Sequence, residues 1–256
     1  MSQLPALDNQ KLNPTRDYLR DVALAMGSLQ RGFLEPQPHD WQHGLEVTLR
    51  GVSTQTFMAG GQPIRVLLDL VKDKVRMDGS FWKLESYSGA ELFNNFKSWL
   101  ETHNLSVKLE EPVFRTGRYD HGQSQNYAAA LWWMHRQLQI IKADISYGET
   151  SPILLYPHHF DLAMSWFPHD DERQITIGFS TSDESVAEPY IYATVYPEPD
   201  GLAELMADRL PAEAYWQKRG FSGGVLPYAK LQQSDQPAEL LKQFVGQLMA
   251  YAAANY

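Results

Sequence analysis

Ser88-Gly89-Ala90-Glu91-Leu92-Phe93-Asn94-Asn95-Phe96-Lys97-Ser98-Trp99-Leu100 carries its own helix start. Ser88 and Glu91 stand three apart, the spacing at which each side chain reaches the other's backbone N–H. Leu92, Phe96, Trp99 or Leu100, and His103 then mark one face of the helix. The same pattern returns 148 residues later, where Ala238-Glu239-Leu240, Phe244 and Leu248 match Ala90-Glu91-Leu92, Phe96 and Leu100. Ser234-Asp235-Gln236-Pro237 supplies a cap and a first-turn proline there, and Tyr251 or Ala252 extends the face.

A second pair of helices precedes these. Leu19, Val22, Met26, Leu29 and Phe33 form one apolar stripe, with Arg16, Asp17, Arg20 and Asp21 largely off it. Leu131, Met134, Leu138, Ile141 and Ile145 repeat that spacing 112 residues on, in a helix starting near Ser124. Between the members of each pair the period drops to two. In the first half, residues 45–49, 52–58, 64–71 and 81–87 read as strands, separated by Gly60-Gly61 and by the hairpin dipeptide Asp78-Gly79. In the second half, residues 160–167, 175–181, 190–196 and 223–231 play the same parts. Leu45-Glu46-Val47-Thr48-Leu49 aligns with Leu162-Ala163-Met164-Ser165-Trp166, and Pro63 and Pro189 both open strands.

The fold class is therefore α+β, with internally duplicated helix–four-strand–helix units and helices packed on one face of an antiparallel sheet. Chain 1–256 is expected to be one domain, with pseudo-repeats at about 14–104 and 105–256. The halves would join into a single sheet, which removes two open edges. A further strand at 106–113 would make the second half β-α-β4-α. This order resembles the duplicated saddle of the TATA-binding protein and, less closely, the helix-grip fold of lipid-transfer domains. Neither likeness carries function.

Charge narrows the partners. Lys plus Arg number 22 against 31 Asp plus Glu, a net −9, which argues against nucleic acid because phosphate binding needs clustered cations. Cysteine is absent, so disulfides, thiolate metal sites and cysteine nucleophiles are excluded and a reducing compartment is permitted. The first twelve residues lack a signal-peptide pattern, and no run reaches the roughly 20 apolar residues that span a bilayer. A cytoplasmic protein that does not bind membranes is expected.

Several segments resemble an uncharacterised bacterial family, a domain of unknown function. They are Phe160-Asp161-Leu162-Ala163, then Tyr190-Ile191-Tyr192-Ala193-Thr194-Val195-Tyr196-Pro197-Glu198-Pro199, then Leu226-Pro227-Tyr228. Ser151-Pro152, and Trp41 and His43 before a strand ending Arg50-Gly51, also fit. The chain departs from the family pattern in places. The arginine that follows D-L-A-x-x falls on Trp166, G-F-W-P-G becomes Gly178-Phe179-Ser180-Thr181-Ser182, and an upstream Ser-His-Glu has no counterpart. The resemblance implies architecture and no activity.

Three groups of residues carry possible chemistry. Tyr190, Tyr192, Thr194 and Tyr196 share one face of a strand, with Ile191, Ala193 and Val195 on the other. Such a row suits a partly open surface for a small apolar ligand or a protein partner, which Trp166, Trp82 and Trp41 could join. The competing reading is a face covered by another element or by a second copy in a homodimer. His158-His159-Phe160-Asp161 offers His159 and Asp161 on one face, and with His43 they form the set for a metal-assisted hydrolase. Adjacent histidines at a strand entry are more often solvated. His39 and His43 lie four apart in a proline-rich loop, and His169-Asp170-Asp171-Glu172 reads as a charged turn. Nucleophile-elbow, dinucleotide and P-loop motifs are absent, so no cofactor is expected. The reading favours a binding protein without catalysis, with the His/Asp enzyme as the alternative.

Overall fold

The structure is a computed structural model that describes residues 4–170 and 172–255. Residues 1–3 of the leader reading and Asp171 of the charged turn lie outside the described residues. The helices are α1 Asn9–Arg31, α2 Gly89–Thr102, α3 His121–Asp144, α4 Leu202–Ala207, α5 Tyr228–Gln233 and α6 Pro237–Asn255. The strands begin with β1 Leu45–Thr48, β2 Gly51–Ser53, β3 Phe57–Ala59, β4 Gln62–Ile64, β5 Val66–Asp69, β6 Lys74–Met77 and β7 Ser80–Lys83. They continue with β8 Glu149–Thr150, β9 Leu154–Tyr156, β10 Asp161–Phe167, β11 Gln174–Ser180, β12 Tyr190–Tyr196, β13 Tyr215–Gln217 and β14 Gly223–Pro227. The class is α+β with antiparallel pairing, as the periodicities predict.

The chain forms two compact units. The first comprises Gln10–Trp132 and Leu154–Phe160; the second comprises Met1–Asn9, Trp133–Ile153 and Asp161–Tyr256.

In the first unit the strands run in the order β9-β1-β2-β5-β6-β7, all antiparallel, with β3 and β4 a separate hairpin. Both hairpin dipeptides act as read. Asp78 and Gly79 (φ 44° and 79°) join β6 to β7, and Gly60 and Gly61 (φ 58° and 79°) join β3 to β4. Positive φ at both central residues gives the turn twist that matches the strands. The capping box of α2 is present: the Glu91 N–H donates to Ser88 Oγ, and the Ser88 N–H donates to the Glu91 carboxylate. Strand β6 went unread because Lys74 and Arg76 alternate with only two apolar residues.

Leu19, Val22, Met26 and Leu29 of the α1 stripe are buried as expected, whereas Phe33 falls beyond the helix end and is half-buried, and Arg20 and Asp21 are buried too. The reason is the segment 105–120, expected to supply a strand at 106–113, which instead has no regular structure. It lies along α1 and takes its hydrogen bonds from that helix. The Arg115 N–H donates to Asp21 Oδ2 (2.7 Å), Ser28 Oγ donates to the Glu110 carbonyl, and Thr15 Oγ1 donates to the Arg118 carbonyl (3.1 Å). Buried backbone must be paired, and polar side chains of α1 do the pairing. Gly117 permits the approach, since a Cβ there would lie 2.1 Å from the Tyr18 nitrogen.

In the second unit the order is β13-β14-β12-β11-β10, antiparallel throughout, with β8 paired to the end of β10. Leu162 and Met164 of β10, Ile175 and Ile177 of β11, and Ile191 and Ala193 of β12 are buried. Helix α6 comes down on the sheet at Gly224, where a Cβ would meet Phe244 at 3.0 Å. The strand expected at 223–231 stops at Pro227, and Tyr228 opens α5 instead. Tyr228 is buried, and its hydroxyl donates to the Pro5 carbonyl (2.9 Å).

Candidate functional site

Strand β12 spans the predicted residues, Tyr190–Tyr196, and alternation sorts them as expected. Ile191, Ala193 and Val195 are buried. On the other face exposure rises along the strand: Tyr190 is 2% exposed, Tyr192 and Thr194 are half-buried, and Tyr196 is 64% exposed. The row is thus neither a filled core nor a fully wet surface.

Strand register shows what surrounds the row. Ser180, Gly178 and Thr176 lie opposite Tyr190, Tyr192 and Thr194 on β11, and Asp161, Ala163 and Ser165 continue the same face on β10. The ring of Tyr192 lies across Gly178, where a Cβ would be 2.3 Å from Cζ. That position lets its hydroxyl donate to Asp161 Oδ2, a buried carboxylate. Farther out, Ser165 Oγ and Thr176 Oγ1 are 2.9 Å apart.

The Tyr190 end is closed by two loops. Asp183 accepts the N–H groups of Ser185 and Val186, both at 2.7 Å, and also the Tyr190 hydroxyl. This tight turn lays Val186 over Tyr190 and Val225, with Phe221 alongside. The Phe221 ring stacks on Tyr190 (centroids 6.2 Å, 16°) and meets Tyr192 at 64°. Gly220, at φ 82°, allows contact with Ser185. Burial, then the hydrogen bond and charge of Asp183, hold the Tyr190 phenol protonated far above its ordinary value. Tyr190 therefore acts as a neutral donor, and the Tyr196 end stays open.

Trp166, expected to join this surface, lies on the opposite face. It pairs with Ile175, is buried, and its Nε1 donates to the Tyr147 carbonyl (2.9 Å). In the first unit, Trp82 packs edge-on against Phe96 (5.7 Å), and Trp41 sits beside His39 in the turn Pro38–His43.

The histidine candidates sit in a different chemical setting. In the first unit His158 and His159 are exposed, rings edge-to-face at 5.0 Å, and Arg20 Nε donates to the His158 carbonyl (3.1 Å). Burial, and then the positive charges of His159, Arg20, Arg31 and Arg115, push the His158 imidazole below its ordinary value. Such neighbours repel a metal cation. His43 is exposed at the end of its 3₁₀ turn, and Asp161 accepts the Tyr192 hydroxyl. Among the described residues no three His, Asp or Glu side chains form a metal-binding group. Asp170 accepts the N–H groups of Glu172 and Arg173, a closed turn as read for that loop.

Fold and face together define an α+β protein of antiparallel sheets whose most distinctive surface is a tyrosine row hydrogen-bonded to carboxylates. The chain belongs to a family of unknown function (DUF5996), whose model matches residues 4–174 and again 170–256. No curated protein and no solved structure matches it. Among the described residues no helix is long and apolar enough to cross a membrane.

Proposed function

We propose that this protein binds a small, largely apolar ligand at the Tyr192–Thr194–Tyr196 end of the second unit's sheet face and performs no chemistry there. The observation that carries the reading is the exposure gradient, from 2% at Tyr190 to 64% at Tyr196. An aromatic surface that is dry at one end and open at the other gives a ligand a place to bury apolar area. Tyr192, fixed over Gly178 by Asp161, is a rigid wall rather than a mobile side chain. Thr176, Thr194 and Ser165 offer hydroxyls to a polar edge of the ligand. The absence of cysteine fits work in a reducing bacterial cytoplasm.

Titration with the neutral fluorescent probe N-phenyl-1-naphthylamine tests this. A saturable rise in emission is expected. Tyr196→Ser should weaken it about fivefold, the equivalent of about 1 kcal/mol of lost aromatic contact. No saturable signal, or one untouched by both Tyr196→Ser and Tyr192→Phe, would overturn the reading.

A further inference from the structure

We propose that the edge of the first unit's sheet holds a second, independent site that binds an aromatic anion of the nucleoside monophosphate class. Leu67, Arg76 and Phe81 stand directly opposite one another across β5, β6 and β7, and so share a face. Arg65 and Lys74 lie two residues from Leu67 and Arg76, on the same face by alternation. Together with Asp78 these side chains line an open groove of about 300 Å³, at the small end of ligand sites.

Three cations and one carboxylate line this groove in a chain whose net charge is −9. Arg65 is paired with Glu46, whereas Lys74 and Arg76 make no ion pair among the described residues. Phe81 is 58% exposed, and the Lys74 ammonium rests over its ring at 4.7 Å. Isolated exposed apolar residues are common, but here an exposed ring adjoins a guanidinium without an ion pair among the described residues and an ammonium that rests on the ring itself. A ligand ring stacked on Phe81 would displace Lys74, whose ammonium then joins Arg76 on the phosphate. Stacking of this kind accepts any base, since every base has a π-face. The overall −9 opposes a polyanion but only weakly a single phosphate, which favours a mononucleotide over a nucleic-acid strand.

Calorimetric titration of the full chain with AMP at low ionic strength tests the site, with adenosine and inorganic phosphate as separate arms. AMP should bind at least about tenfold more tightly than either fragment, because charge-assisted bonds and stacking act together. Arg76→Glu and Phe81→Ser, both at exposed positions and checked for folding by circular dichroism, should each weaken AMP about tenfold or more. No AMP binding at millimolar concentration overturns the proposal, as does binding untouched by both substitutions. Adenosine binding as tightly as AMP removes the role of the cations, and phosphate doing so removes that of Phe81; either result also overturns it.

Discussion

Gly178 and Tyr192 depend on each other. A methyl at Gly178 would meet the Tyr192 ring at 2.3 Å, so the ring must leave the sheet and take its hydroxyl from Asp161. Overpacking of this kind costs about 1–3 kcal/mol, and Gly178→Ala is expected to lose that much in urea unfolding. Tyr192→Phe keeps the ring seated and removes only the hydroxyl, so its loss should be smaller, about 1 kcal/mol. If the alanine variant were as stable as the parent, the ring could not lie where it does. Period two was enough to place the tyrosines on one face. Alternation within β10 puts Asp161, Ala163 and Ser165 on one face and Trp166 on the other, but which face adjoins the tyrosines is fixed only by the β10–β11–β12 register. The pairing of Asp161 with Tyr192 was not readable, because it spans 31 residues and needs the β10–β11–β12 register.

Elements were legible where local signals act alone. The α2 cap, the Asp78-Gly79 hairpin and the bounds of β12 all follow from residues within a few positions. The segment 105–120 was misread because its partners lie on α1, about 80 to 105 residues away in sequence. That segment also explains the burial of Asp21. Burial raises the Asp21 carboxyl above its ordinary 3.8, against the Arg115 N–H and the Arg20 charge that pull it down. The folded chain therefore holds this proton more readily than the unfolded chain. The site's contribution to stability is full below pH 3.8 and is lost as pH rises through the raised value. Asp21→Asn lacks that dependence. The stability of wild type minus variant should fall as pH rises above 3.8 and then level off, followed by urea midpoints. A flat difference would show that the Arg115 and Arg20 interactions cancel the burial.

At the scale of the whole molecule, charge predicts more than fold class does. The −9 balance weighs against a nucleic-acid strand, yet it conceals cations gathered at the sheet edge and along α1. Composition averages over the surface, so a local reversal of sign appears only once strand register is known. Histidines extend the point to acid stability. Burial lowers the His135 imidazole of α3, and burial followed by neighbouring cations lowers that of His158. Both stay neutral in the folded chain at a pH where the unfolded chain begins to protonate. Their contribution is present above the ordinary 6.5 and is lost as pH falls through the lowered values. Asp21 acts in the opposite sense, its contribution lost as pH rises above 3.8. Thermal melting should therefore drop as pH falls below 6.5. In His135→Gln combined with His158→Gln this part of the drop should shrink, while the rise on approach to pH 3.8 assigned to Asp21 stays. An unchanged slope just below pH 6.5 in the double variant would assign the acid sensitivity to other groups.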